Sequence, residues 1–86
     1  MPLKSYPVRF TPDSYEKLTE LAGNYLTEID EAIQLVLSRR PRQGVPFDNK
    51  MRAIKLSPPW GSIVVAYTFD EESVFVEKIF GTPPPA

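Results

Sequence analysis

The sequence predicts a small α+β domain in the order β-α-α-β-β-β, an antiparallel sheet with a helix hairpin packed on one face. Three observations predict it. Residues 12–40 carry apolar side chains at helical spacing and stop at Pro41. Residues 51–80 fall into three runs rich in β-branched and aromatic residues. Only short turns separate those runs, so consecutive strands must reverse direction.

The first element is a short strand over Tyr6-Pro7-Val8-Arg9-Phe10, where apolar and polar residues alternate. Pro7 has no N–H, which suits an edge position or a strand start. Thr11 is placed to cap the first helix, with Pro12 at its first position and Asp13 and Glu16 in the opening turn. Tyr15, Leu18, Leu21, Ala22 and Tyr25 follow the helical period, and Gly23-Asn24 forms a C-cap. A second helix is expected from near Thr27, where Thr27 and Asp30 make a weak capping box. Its apolar stripe is Ile29, Ala32, Ile33, Val36 and Leu37. Arg39 and Arg40 close it, since cations favour the negative end of the helix dipole. The short connection implies that the helices form a hairpin.

Residues 41–50 read as a loop from their Pro, Gly and Asn content. Met51 to Leu56 is a strand with Ile54 and Leu56 on one face and Ala53 and Lys55 on the other. Ser57-Pro58-Pro59-Trp60-Gly61 is a turn. Ser62 to Phe69 is apolar on both faces, which suits a central strand. Asp70-Glu71-Glu72-Ser73 is an acidic hairpin turn, and Val74 to Phe80 is the last strand. Residues 1–80 form one domain, and 81–86 form a Pro-rich tail. No apolar run reaches the roughly 20 residues of a membrane span, and the first residues have no apolar leader segment. A cytoplasmic protein without membrane contact is expected.

The chain has 86 residues and neither cysteine nor histidine. Disulfides, thiol nucleophiles, thiolate metal sites and imidazole chemistry are therefore impossible. Any catalysis must use Lys, Arg, Tyr, Asp or Glu. No phosphate-binding glycine loop is present, and the acidic residues form no metal-binding motif. We expect no cofactor and no metal.

Charge is distributed unevenly. Residues 39–55 contain Arg39, Arg40, Arg42, Lys50, Arg52 and Lys55 against the single acid Asp48, in a chain whose formal net charge is −1. That asymmetry points to a polyanionic or acidic partner. The alternative is a solvated helix end and loop. A lysine on an open sheet face, as expected for Lys55, is a reasonable phosphate contact. Val64, Ala66 and Thr68 form the second face of the central strand. An apolar second face requires either a cover or a partner, including a second copy of the chain. Trp60 either marks an interface or closes one end of the core.

Several of these features resemble the RelE/ParE toxin superfamily of bacterial toxin–antitoxin systems. They are the opening strand running into Phe10-Thr11-Pro12, the helix hairpin, and Ile54-Lys55-Leu56 followed by a turn. Val65-Ala66-Tyr67-Thr68-Phe69-Asp70-Glu71-Glu72 and Val74 to Ile79 complete the likeness, which spans most of residues 6–80. The resemblance implies a prokaryotic toxin or toxin-derived protein that binds a cognate antitoxin and a cellular target. RelE-like members are ribosome-dependent mRNA endonucleases, or mRNA interferases, that repress translation through Lys, Arg and Tyr. ParE-like members bind DNA gyrase without catalysis. A non-toxic oligomeric binding domain, such as a homodimer, is a further alternative.

Carried over residue by residue, the resemblance assigns the cationic position of the second strand to Lys55, with Arg52 beside it, and a basic position of the last strand to Lys78. These three are the candidate catalytic residues. The superfamily's arginine before Val65-Ala66-Tyr67 is Val64 here, which weighs toward binding. Arg39, Arg40, Arg42, Lys50, Val64, Ala66 and Thr68 are the candidate binding residues. Tyr67 is expected to pack in the core.

Overall fold

The computed structural model describes residues 5–48 and 50–85. β1 (Val8–Phe10) leads into α1 (Pro12–Ala22), a single 3-10 turn (Gly23–Tyr25) and α2 (Leu26–Arg39). A second 3-10 turn (Pro41–Gln43) and a two-residue strand, β2 (Val45–Pro46), follow. β3 (Arg52–Leu56), β4 (Ile63–Phe69) and β5 (Val74–Gly81) complete the chain. The five strands form one sheet in the order β1-β5-β4-β3-β2.

β3, β4 and β5 are antiparallel neighbours, as their short turns require. β1 lies at the edge and pairs in parallel with β5, Val8 opposite Val74 and Phe10 opposite Val76, so the whole sheet is mixed. Pro7 enters just before this edge strand, and its carbonyl accepts the Val74 N–H at 2.9 Å. The expected loop 41–50 is partly ordered: β2 adds Val45 and Pro46 against Ala53 and Arg52. β5 reaches one residue into the segment expected as tail, and Pro84 lies beside Gly23.

The helices start and stop for local reasons. The Thr11 side chain accepts the Ser14 N–H at 3.1 Å and caps α1. Gly23, at φ +56°, takes a positive-φ conformation that favours glycine and ends α1, and its N–H bonds the Thr19 carbonyl. α2 begins at Leu26 rather than near Thr27. Tyr25 stands at its N-cap with no side-chain bond, so the expected Thr27–Asp30 capping box does not start the helix. The 3-10 turn runs straight into α2 and leaves Thr27 inside it.

The core lies between the helices and one sheet face. Leu18, Leu21 and Ala22 of α1 and Ile29, Ile33 and Leu37 of α2 pack on Ile63, Val65 and Tyr67 of β4 and Val74, Val76 and Ile79 of β5. Tyr15 and Tyr25, on the expected stripe of α1, remain substantially exposed. Ser14 is buried instead, donating to the Thr11 and Val76 carbonyls at 2.9 and 3.0 Å. This bond ties the first helix to the last strand. Trp60 closes one end of the core: its ring sits 4.8 Å from that of Tyr25, and its indole N–H donates to the Thr82 carbonyl.

Candidate functional site

Strand parity decides what each sheet face offers. On β3, Arg52, Ile54 and Leu56 share the helix side with Tyr67, Val65 and Ile63, while Ala53 and Lys55 turn to the other side with Ala66 and Val64. On β5 the parity changes midway. Ala66 pairs with Lys78 and Tyr67 with Val76, which leaves Glu77 as a bulge. The extra residue lets Val74, Val76 and Ile79 all reach the core. It also puts Phe75, Lys78 and Phe80 together on the far side, opposite Thr68, Ala66 and Val64.

No helix packs on that far side among the described residues. Its middle is apolar: Val64 and Thr68 are partly exposed, whereas Ala66 is wholly buried between Ala53 and Lys78. Ala66 is too short to reach past its neighbours, so it floors the face rather than offering contact. Around it stand Phe75, Phe80 and Phe47, the last two with rings 5.7 Å apart and each more than two-fifths exposed. Val45 is 65 % exposed at the β2 edge. Lys55 and Lys78, both exposed, are the cations of this face, with Arg9 joining from β1 opposite Phe75.

The three candidate catalytic residues are thus divided. Lys55 and Lys78 share the open face, two strands apart across β4. Arg52 belongs to the helix side, where its guanidinium donates to the Gly44 carbonyl at 2.7 Å. Tyr67 is fully buried, as expected. Its hydroxyl donates to the Pro41 carbonyl at 2.6 Å and accepts the Gly44 N–H at 3.0 Å. Burial pushes the Tyr67 hydroxyl above its usual pKa, against smaller opposing effects of the Gly44 N–H and the Arg52 charge. Arg52 and Tyr67 together hold the 41–44 turn in place.

That turn carries the other basic residues. Arg39, Arg40, Pro41, Arg42 and Gln43 line one groove with Tyr6, of about 510 Å³. Arg42 stacks over the Phe69 ring, 5.7 Å from its centre. Lys50 is exposed in the β2–β3 connection, on a different element from this groove. The candidate binding residues therefore form two sites: arginines at the end of α2, and Val64 and Thr68 on the sheet.

The acidic turn has a structural use. One Asp70 carboxylate oxygen accepts the Glu72 and Ser73 N–H groups at 2.7 and 2.8 Å, closing the β4–β5 hairpin. Among the described residues no three acidic side chains gather as a metal ion would need. No described helix is long and apolar enough to cross a membrane.

Sequence reasoning missed Phe47, Phe75 and Phe80 as surface residues. The available signal was the shift from Val74 and Val76 to Ile79, an odd step that strict alternation does not allow.

No family model and no curated protein matches the sequence. The fold is similar to that of a chain in the crystal structure of the toxin–antitoxin complex RelBE2 from Mycobacterium tuberculosis, with a TM-score of 0.74. The likeness covers 92% of this chain and 93% of that one, at 24% sequence identity. Identity that low establishes architecture alone: this chain shares the fold of a component of the RelBE2 complex, the α+β arrangement expected from the resemblance to the RelE/ParE superfamily.

Proposed function

We infer that the protein is a toxin or toxin-derived component of a toxin–antitoxin system and that it acts by binding. The observation that carries this reading is the uncovered sheet face. In a fold shared along nearly its whole length with part of a toxin–antitoxin complex, one side of the sheet exposes Phe75, Phe80 and Phe47 beside Val64. Lys55 and Lys78 stand on that face as well. Aromatic rings interleaved with cations make a surface for a partner that carries both apolar and acidic side chains. A cognate antitoxin is such a partner, and a cellular target is the second.

The endonuclease reading is weaker for a chemical reason. Cleavage through a 2′-oxyanion needs a base, an acid and cations around one phosphate. Here Arg52 and Tyr67 are engaged on the other side of the sheet, and Lys55 and Lys78 have Val64 and Ala66 between them. Binding without cleavage, whether to gyrase, the ribosome or a second copy of the chain, asks for none of that constellation.

The test is inducible expression in a bacterial host, alone and with the adjacent reading frame. The wild type should arrest growth, and the adjacent product should co-purify and relieve the arrest. Phe80→Glu should abolish the co-purification. RNA 5′-end profiles should stay unchanged on expression of the wild type and of Lys55→Ala alike. Growth without arrest and without a co-purifying partner sinks the reading. New RNA ends that depend on Lys55 would replace it with the nuclease.

A further inference from the structure

Trp60 and the proline-rich segment after β5 take no part in the sheet face described above. Trp60 is the one tryptophan of the chain and stands between Pro59 and Gly61, in the connection from β3 to β4. Its ring packs on that of Tyr25, 4.8 Å between centres, and its indole N–H donates to the Thr82 carbonyl at 3.0 Å. Pro83, Pro84 and Pro85 follow. Consecutive prolines hold φ at about −65° and keep each preceding residue extended, which favours the polyproline II form. This segment passes over two glycines. A Cβ on Gly61 would lie 2.8 Å from the Thr82 hydroxyl oxygen, and one on Gly23 would lie 3.1 Å from the Pro84 ring. Both glycines leave room where the segment runs.

A proline strand lacks N–H donors, but its carbonyls are unspent acceptors and its rings are apolar. Paired aromatic rings with one outward N–H suit it on both counts, as in polyproline recognition generally. Trp60 and Tyr25 make such a shelf, and the chain's own residues 82–85 occupy part of it. Tyr25, which is 40 % exposed, also lines a groove of about 240 Å³ between α2 and the β3–β4 connection. Ile29, Pro58 and Pro59 share that lining with the exposed carboxylate of Glu28. None of residues 82–85 lines this groove, so the shelf extends past what the chain's own segment covers.

We propose that Trp60, Tyr25 and this groove bind a proline-rich strand carrying a basic residue, which displaces residues 82–85 from Trp60. The prolines lie on the two rings and on Pro58 and Pro59, and the basic residue meets Glu28. A longer strand gains the groove contacts that the chain's own segment lacks. None of the lining residues belongs to the open sheet face, and the proposal does not rest on the toxin reading. Residues 82–85 follow β5 without a linker, so they compete at an effective concentration in the millimolar range. With an intrinsic Kd of about 0.1 mM for either strand, that competition weakens an added peptide about 10-fold.

The sole tryptophan supplies the readout, through its emission and its single indole peak in a nitrogen–proton correlation spectrum. The probe is a peptide of one arginine followed by nine prolines, titrated into the full chain. The wild type should bind with an apparent Kd of about 1 mM, and the indole peak should move as the Thr82 carbonyl is exchanged for one of the peptide. Pro83→Ser, Pro84→Ser and Pro85→Ser together should tighten binding about 10-fold. Tyr25→Leu should weaken it about 10-fold, as loss of a central aromatic contact does. Glu28→Gln should weaken it about 2–5-fold and leave an all-proline peptide unaffected. A glycine–serine peptide of the same length should not bind. Circular dichroism of each variant guards against unfolding. The proposal is overturned if the wild-type indole peak stays still at about 5 mM peptide, or if the folded triple-serine variant binds no more tightly than wild type. Equal binding of the glycine–serine peptide overturns it as well, and an unchanged affinity in Glu28→Gln overturns the assignment of the basic residue.

Discussion

Replacing Tyr67 with Phe removes one oxygen and tests how the basic turn is held. That oxygen donates to the Pro41 carbonyl and accepts the Gly44 N–H, and Pro41, Gly44 and Tyr67 are all buried. Phe fits the same space, so packing is nearly conserved. The cost is two backbone groups left without their partner in a dry site. Each such group costs about 1–3 kcal/mol. Relaxation of the turn toward water recovers part of this, so we expect a net loss of roughly 2–4 kcal/mol. That is a large share of the ~5 kcal/mol at the lower end of domain stabilities. For a domain of this size each kcal/mol moves Tm by about 4–8 °C. Urea denaturation followed by circular dichroism measures the loss. Trypsin supplies a local readout, because a loosened turn exposes the bonds after Arg39 and Arg42. A variant within about 0.5 kcal/mol of wild type, with unchanged trypsin cleavage, would refute the claim that this hydroxyl anchors the turn.

Alkaline pH tests the same group. The folded state raises the Tyr67 pKa, so its contribution is fully present below the ordinary tyrosine value of about 10 and is lost as pH rises through that value and the folded one. Wild-type stability should therefore fall above pH ~10 more steeply than that of Tyr67→Phe, as pH-jump urea titrations would show. Gly44→Ala should cost about 1–3 kcal/mol. Gly44 has an ordinary φ of −63°, but a methyl group there overlaps the Tyr67 hydroxyl and presses on the Ala53 carbonyl. Its cost should shrink in the Tyr67→Phe background, a coupling that a double-mutant cycle reads directly. Thr11→Ala should remove the cap on α1 and about 1 kcal/mol of stability, measured by thermal melting.

Most of the architecture was legible because periodicity is a local property. Thr11 and Gly23 bracket α1 as their chemistry requires, and Ile29, Ile33 and Leu37 fall on one face of α2. Lys55 could be assigned to the open face from parity alone. Three things were not legible, and each is non-local. The Glu77 bulge is fixed by pairing with β4, so strict alternation misassigns half of β5 and puts Phe75 and Phe80 on opposite faces. β2 exists only because β3 supplies its partner, since Val45-Pro46 has no strand pattern of its own. The anchoring of residues 41–44 depends on a tyrosine 23 positions beyond Gly44, whose hydroxyl finds the turn only after the sheet and helices have met. At the candidate site, residue types pointed to cations, but only tertiary structure separates Arg52 from Lys55 and groups Tyr6 with the arginines.

The parallel pairing of β1 with β5 has a consequence for biosynthesis. Among the described residues the first strand of the fold has the last one as its sheet neighbour, and Ser14 likewise bonds the carbonyl of Val76. The nascent polypeptide can form its helices early, but they have no complete surface to settle on until β5 has been made. Messages truncated before β5 would yield products lacking the native core rather than partly competent fragments.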